Sequence, residues 1–482
     1  MTALSIVRAT VRSTVQRRFN QFERFDQLMF AVAIALIMAI GGVILAGDRA
    51  GVGVTLIDPA TALDSGIMLT LHSTMPLRLR FSDPMDIKSV HLTITPPIDG
   101  LISWTDAQLT LTPARALIPG QTYQVALDNG ATARNGRVVK QIAHWQIQVA
   151  PLQIVYLAPA MRARSSVPTN LWLVAPPNAP IQLTHSLYSI DDFAPSPDGT
   201  KIAFSQRDKS GKTDLYLLTV ATAEVRQITR CVNAPCRAPA WNPDGTRLVY
   251  ERADSTRADS DVRSWLLDLS TLQTAPLIAD SQWLGKAPHW SPDGKTISLY
   301  DHNAGGIFLI DVASGQRSFL QTLEDTSGQF APGNRQQLVY QQLIMAPQGA
   351  LRQLSVADFA DKAAYTIHPL TPPDGALTDD SAASWNPDGA HLIVMRRYLD
   401  DRETQYAQAY QIDVVTGEAQ PIVVDPQYAH GALSWSPDGG RLLMQRYPFM
   451  QPDGQTGIWI YAAQSKTLIQ VAQNGFFPQW LP

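Results

Sequence analysis

The sequence predicts an all-β chain: a seven-bladed β-propeller (six blades being the alternative) behind a β-sandwich, with one N-terminal transmembrane helix. Three observations predict it. A hairpin motif recurs through the last two thirds of the chain. A stretch of about 100 residues that reads only as strands precedes it, and 19 residues without a charge precede that.

The motif is clearest at 239–250, PAWNPDGTRLVY. Strong copies are PHWSPDGKTISLYD (288–301), ASWNPDGAHLIVM (383–395) and LSWSPDGGRLLMQ (433–445). A weaker copy, FAPSPDGTKIAFS (193–205), has Pro195 where the others have Trp. An apolar strand ends at Pro, which has no N–H for a ladder. Asp-Gly then makes a tight turn, because Gly supplies positive φ and Asp tolerates it. Apolar residues follow four and six positions after the Asp, as in Leu248 and Tyr250 or Leu442 and Met444. That alternation buries one face of the second strand. The repeated residues Trp241, Asp244 and Gly245, Trp290, Asp293 and Gly294, Trp385, Asp388 and Gly389, and Trp435, Asp438 and Gly439 are therefore expected to be structural. A third strand such as SWLLDL or IFLID and a short fourth such as RSFL complete each unit, which makes a four-stranded blade.

The turn Pro falls at 197, 243, 292, 387 and 437. The gap of 95 between 292 and 387 is two periods, and GQFAPGNRQQLVYQQ fills it as a degenerate copy with Phe330 in the Trp place. The segment FFPQWLP (476–482) is another first strand, and its three partners are expected at 152–184. One blade is thus predicted to close the ring with strands from both ends, which removes free edges. Residues 151–482 over seven blades give about 47 residues each, near the usual propeller period. Six blades result if 152–159 belongs to the sandwich.

Earlier in the chain, residues 1–27 are polar and basic, with Arg8, Arg12, Arg17, Arg18 and Arg24. LMFAVAIALIMAIGGVILA (28–46) follows and, as a helix, would span ~28 Å, close to a bilayer's hydrocarbon core. The excess of arginine before it predicts a cytoplasmic N-terminus and an extracytoplasmic remainder; a cleaved signal peptide is the alternative. Residues 52–150 read as seven or so short strands of a sandwich. The net charge of −4, from 38 basic and 42 acidic residues, gives no sign of nucleic-acid binding. Cys231 and Cys236 are too few for structural zinc. A local disulfide fits an oxidising compartment, with two free thiols as the alternative.

Two resemblances emerge from these motifs. The FSDPMD strand end, the LTLTPARALIPGQTYQV hairpin and the HWQIQV strand make 52–150 similar to bacterial Ig-like domains, which implies a spacer or adhesive module. The W-S-P-D-G turns followed by I-A-F strands resemble the TolB-type propeller. That resemblance implies the fold but not the function, since scaffolds, peptidases and lyases share it.

In an up-and-down blade the first and third turns lie on one face, here the uniform one. The second turns and the links between blades lie on the other. That face carries variable loops at 229–237, 280–286, 371–381, 397–405 and 446–457, and binding is expected there and at the channel mouth. Trp283, Asp379, Asp380, Tyr428 and His430 are the candidate binding residues, against their being ordinary rim residues. No G-x-S-x-G, H-E-x-x-H, P-loop or dinucleotide motif occurs, and the histidines at 185, 289, 302, 368, 391 and 430 hold different places in the repeat. The expectation is a non-enzymatic, membrane-anchored binding or scaffold protein without metal or cofactor, whose partner is a protein, peptide or envelope polymer. A lyase- or peptidase-type propeller enzyme and a transmembrane sensor are the alternatives.

Overall fold

The computed structural model describes Met29 and residues 31–40, 51–57, 68–140, 142–160, 167–231, 234–253, 262–280, 283–324, 326–333, 335–347, 349–359, 365–400, 402, 406–449 and 454–482. The described residues are all-β apart from Met29 and residues 31–40, which are helical, and one 3-10 turn at Ile87–Ser89. Among the described residues no helix is long and apolar enough to cross a membrane. Leu28, Phe30 and 41–46 of the expected transmembrane span lie outside the described residues.

Among the described residues eight strands make the sandwich. One sheet runs in the order Val54–Ile57, Leu77–Phe81, Gln108–Pro113, Gly100–Thr105. The other runs Met68–Leu71, Ala143–Val149, Thr122–Leu127, Leu92–Thr95. Alternation in LRLRF buries Leu77, Leu79 and Phe81 and exposes Arg78 and Arg80, so the core lies between the sheets around Leu79, Val125, Leu127 and Val149.

From residue 153 onward the described strands form seven four-stranded antiparallel sheets. Six follow one another in sequence, with first strands Ile190–Pro195, Cys236–Trp241, Lys286–Trp290, Gln329–Phe330, Thr378–Trp385 and Tyr428–Trp435. The degenerate copy at Gln329–Phe330 is one of them. The seventh sheet is composite: Phe476–Leu481 pairs with Gln153–Ala158, followed by Asn170–Val174 and Ile181–Gln182, and Trp480 lies opposite Ile154. The apolar clusters sit between neighbouring sheets. Val155, Leu157 and Leu171 of the composite sheet meet Ile202, Phe204 and Leu218 of the next. Ala203 and Leu215 of that sheet meet Trp241, Leu248 and Tyr250. Each sheet is thus buried on two faces, which is why second strands such as KIAFSQR and HLIVMRRY are buried through most of their length.

Val149, which ends the sandwich, stands four residues before Gln153. The first PDG turn touches the sandwich: Thr74 Oγ1 donates to the Pro197 carbonyl at 3.1 Å. A Cβ on Gly199, at φ +67°, would collide with the Pro482 carbonyl and lie 3.1 Å from His72 Nδ1. The sandwich therefore abuts the face of uniform turns and leaves the variable-loop face clear of it.

Candidate functional site

The repeated turn residues are mechanical. Asp244 Oδ1 accepts from Thr246 N at 2.8 Å and Asn242 Nδ2 at 2.6 Å. Asp293 accepts from Ser291 Oγ at 2.6 Å and Lys295 N at 3.1 Å. Asp388 accepts from Ala390 N at 2.7 Å, and Asp438 from Ser436 Oγ and Gly440 N. Burial alone would raise the pKa of Asp244, but the hydrogen bonds from Thr246 and Asn242 outweigh it and lower it. Gly245, Gly294, Gly389 and Gly439 hold φ between +66° and +72°, which a Cβ resists. The Trp of the motif stitches neighbouring sheets. Trp241 Nε1 donates to Ala194 O at 2.9 Å, Trp385 Nε1 to Gln329 O at 3.0 Å and Trp480 Nε1 to Ser434 O at 3.1 Å. Trp290 and Trp435 hold the same place without that bond.

Three residues before each Trp the first strand bulges. Ala238, Ala287, Ala382, Ala432 and Phe477 all adopt φ of 48° to 50°, and the pairing register slips at each. L-residues adopt such a conformation only when their surroundings fix it. Here an acid or amide of the preceding sheet captures the turned N–H: Ala238 N donates to Asp192 Oδ2 at 3.0 Å, Ala287 N to Glu251 Oε1 at 2.7 Å and Phe477 N to Gln445 Oε1 at 2.8 Å. The bulges at Ala432 and Phe477 border a cavity of 520 Å³ between the first strands of five sheets, lined by Asp191, Asp192, Gln329, Leu433, Phe477 and Gln479 among others. Asp191 is paired with Arg207 at 2.9 Å, and burial raises the pKa of Asp192. His289 lies on a first strand, with Nδ1 2.9 Å from both Ala287 O and Ser327 Oγ. Among the described residues no three His, Cys, Asp or Glu side chains converge as a metal site.

The five candidate residues all engage neighbours. Trp283 packs edge-on against Phe308 at 4.6 Å under the Arg317 guanidinium. Asp379 receives Arg352 Nε at 2.9 Å, Nη2 at 2.8 Å and its backbone N at 3.1 Å. Asp380 forms a bidentate pair with Arg396, both bonds 2.8 Å and both residues buried. Burial raises the Asp380 pKa. Tyr428 carries the Arg446 guanidinium 3.9 Å above its ring. Arg446 is itself buried and paired with Asp425. His430 Nε2 lies 3.1 Å from Gln408 Oε1, while Nδ1 has no partner among the described residues. Burial, reinforced by the Arg446 charge, lowers the His430 pKa to about 4. Arg352, Arg396 and Arg446 were not among the expected residues, yet they organise this side of the rim.

The Arg352–Asp379 clamp has a visible purpose. Gln337–Ala346 and Gly349–Asp358 are ten residues each, the longest strands of the ring, and their hairpin rises on the variable-loop face. Arg352, near its tip, is fastened to the next sheet by Asp379. Leu343 stands opposite Arg352 and Met345 stands beyond the clamp, both exposed. The link between Cys231 and Cys236 on the same face is a disulfide, with Cα atoms 6.2 Å apart and both residues buried.

With this geometry in view, comparison with known proteins gives three results. Residues 60–146 match the bacterial Ig-like domain family, so the sandwich carries the resemblance read from its motifs. The dipeptidyl-peptidase 5 of Porphyromonas gingivalis is 23% identical over 172 residues, 34% of this chain and 25% of the peptidase. The Tol-Pal system protein TolB of Hahella chejuensis is 40% identical over 60 residues, 12% of this chain and 14% of TolB. The chain thus spans a quarter or less of the length of either relative. Among solved structures, TolB from Acinetobacter baumannii is similar at 15% identity and a TM-score of 0.40, over 81% of this chain and 83% of that one. The repeated sheets are thus similar to those of TolB proteins, the resemblance that their turns carry.

The peptidase corrects one expectation. A chain without a recognisable catalytic motif was expected to be no enzyme, but an enzyme is among its relatives. Catalytic motifs are local in sequence, whereas a propeller gathers its central residues from sheets that are far apart in the chain. Their absence therefore does not class this protein as non-enzymatic.

Proposed function

We propose that the chain is a polypeptide-binding protein of an oxidising, extracytoplasmic compartment, and that its seven sheets are the blades of one ring whose variable-loop face receives the partner. The observation that carries this is where exposed apolar side chains lie. Val167, Leu187, Leu323, Met345, Phe449 and Phe477 all sit on the second turns, the links between sheets or the adjoining strand start, with exposures from 40% to 82%. The turns of the opposite face expose Leu272 and Val415. A concentration of apolar surface on one face, rimmed by charged pairs, favours a protein or peptide over a hydrated polymer. The clamped hairpin makes part of that surface rigid before binding, which lowers the ordering cost of association. The disulfide supports the compartment. Binding of a polypeptide here would serve an adaptor and a peptide-processing protein alike.

The test is site-specific photocrosslinking in intact cells. A photoreactive residue at Leu187 or Met345 is expected to yield a discrete polypeptide adduct, and one at Val415, on the opposite face, none. Equal adducts from the two faces, or none from Leu187 and Met345, would reject the assignment.

A further inference from the structure

The sandwich leaves one strand unguarded. Among the described residues Gly100–Thr105 is the edge of its sheet and is hydrogen-bonded on one side only, to Gln108–Pro113. Natural edges are blunted by shortness, lysine, proline or a bulge. Among the described residues the other sandwich edges, Val54–Ile57, Met68–Leu71 and Leu92–Thr95, show four residues each, and Pro96 and Pro97 follow the last of them. Gly100–Thr105 has six residues, GLISWT, with no charge, no proline and an unbroken register.

The strand also sits over an open corner of the core. Ile102 and Trp104 lie opposite Leu111 and Leu109, which are buried, so all four point inward. Ile102 is nevertheless 50% exposed, and Leu101 on the outer face is 73% exposed. The strand is held close against its neighbour: a Cβ on Gly100 would strike the Thr112 carbonyl. A pre-formed, apolar, unpaired edge is what an extended segment needs in order to add a strand.

The charges at its ends select the occupant. Asp99 and Asp106 bracket the strand and are exposed, and no ion pair or side-chain hydrogen bond engages either carboxylate among the described residues. At ~3.3 Å per residue they stand about 23 Å apart. A second copy pairing antiparallel about Ile102 and Ser103 would set Asp99 against the other copy's Asp106, and like charges directly opposite destabilise a strand pair. We propose that Gly100–Thr105 is a docking edge for an extended segment of a partner protein with alternating apolar residues and a basic residue at each end. The apolar residues would close the corner beside Ile102, and the basic ends would pair with Asp99 and Asp106. This site is separate from the propeller face and does not depend on the reading above.

The test uses the whole chain and two labelled peptides, Lys-Thr-Val-Thr-Val-Thr-Val-Lys and the same peptide with Glu at both ends, titrated by fluorescence anisotropy. The basic peptide is expected to bind about tenfold more tightly, from two exposed charge pairs turned from attraction to repulsion. Asp99→Lys/Asp106→Lys should reverse the preference, and Ile102→Lys should abolish binding of both. These residues are exposed, so unchanged thermal unfolding will show that the variants fold. No saturable binding, a preference indifferent to the double substitution, or full binding by Ile102→Lys would overturn the proposal. So would a dimer in sedimentation that Ile102→Lys dissolves, because that outcome assigns the edge to a second copy.

Discussion

Substituting His430 should remove a specific part of the protein's acid sensitivity. His430 is 8% exposed, bonded through Nε2 to Gln408 and faced by the buried Arg446, whose own partner is Asp425. Its pKa falls from 6.5 to about 4 in the folded chain. The folded state therefore keeps the ring neutral where the unfolded chain protonates it. Stability from this residue is fully present above about pH 6.5 and is lost as the pH falls toward 4, because the unfolded state then binds the extra proton. At ~1.4 kcal/mol per pH unit the whole window is worth about 3 kcal/mol, of which about 2 kcal/mol is lost between pH 7 and pH 5. The assay is chemical denaturation of the propeller followed by tryptophan fluorescence at those two pH values. Other groups titrate as well. His289, lowered by burial, adds loss in the same direction, and Asp192, raised by burial, opposes it. The quantity to read is therefore the difference between wild type and His430→Asn. The variant should lose about 2 kcal/mol less than wild type on going from pH 7 to pH 5. Identical pH dependence in the two proteins would refute a buried, neutral His430.

Two further outcomes follow from the ring. Asp380→Ala leaves the fully buried Arg396 without its bidentate partner and should cost about 3–5 kcal/mol of unfolding free energy in denaturant titration. The double variant Asp380→Leu/Arg396→Leu should regain most of it, and a single variant as stable as wild type would show that the pair is not buried in solution. Trp480→Ala removes a buried ring and its bond to Ser434, with an expected loss of about 3–5 kcal/mol. Amide exchange should then accelerate first in Gln153–Ala158, and acceleration confined to another sheet would contradict the observed closure.

The ring was legible because its signals are local. Each PDG turn fixes a hairpin within a dozen residues, and the constant period located even the sheet of Gln329–Phe330 and the pairing of Trp480 with the start of the propeller. The contacts at the rim are not local. Asp379 is engaged by Arg352, 27 residues earlier on a hairpin whose length no turn residue announces. Ala238 is held by Asp192, 46 residues away. One rim feature does have a local signal. Arg396 and Arg446 stand eight positions after Asp388 and Asp438, continuing the buried alternation of Leu392 and Val394 and of Leu442 and Met444. An arginine is assumed to face water, and here the period outweighed the residue type. The alternation also left the strained alanines invisible, since a bulge changes the register without changing the composition.

The composite sheet sets an order of events at the ribosome. Ala160 N and the Asn474 carbonyl, which bond beside this sheet, are 314 residues apart. At the usual pace of synthesis, three strands wait roughly 15–60 s for the fourth to emerge. During that interval Gln153–Ala158, whose residues from Ile154 onward are all buried in the finished ring, shows a bare apolar border to the surrounding solution. A nascent-chain holdase would find its most persistent target there, at the first part of the propeller to be made and the last to be covered.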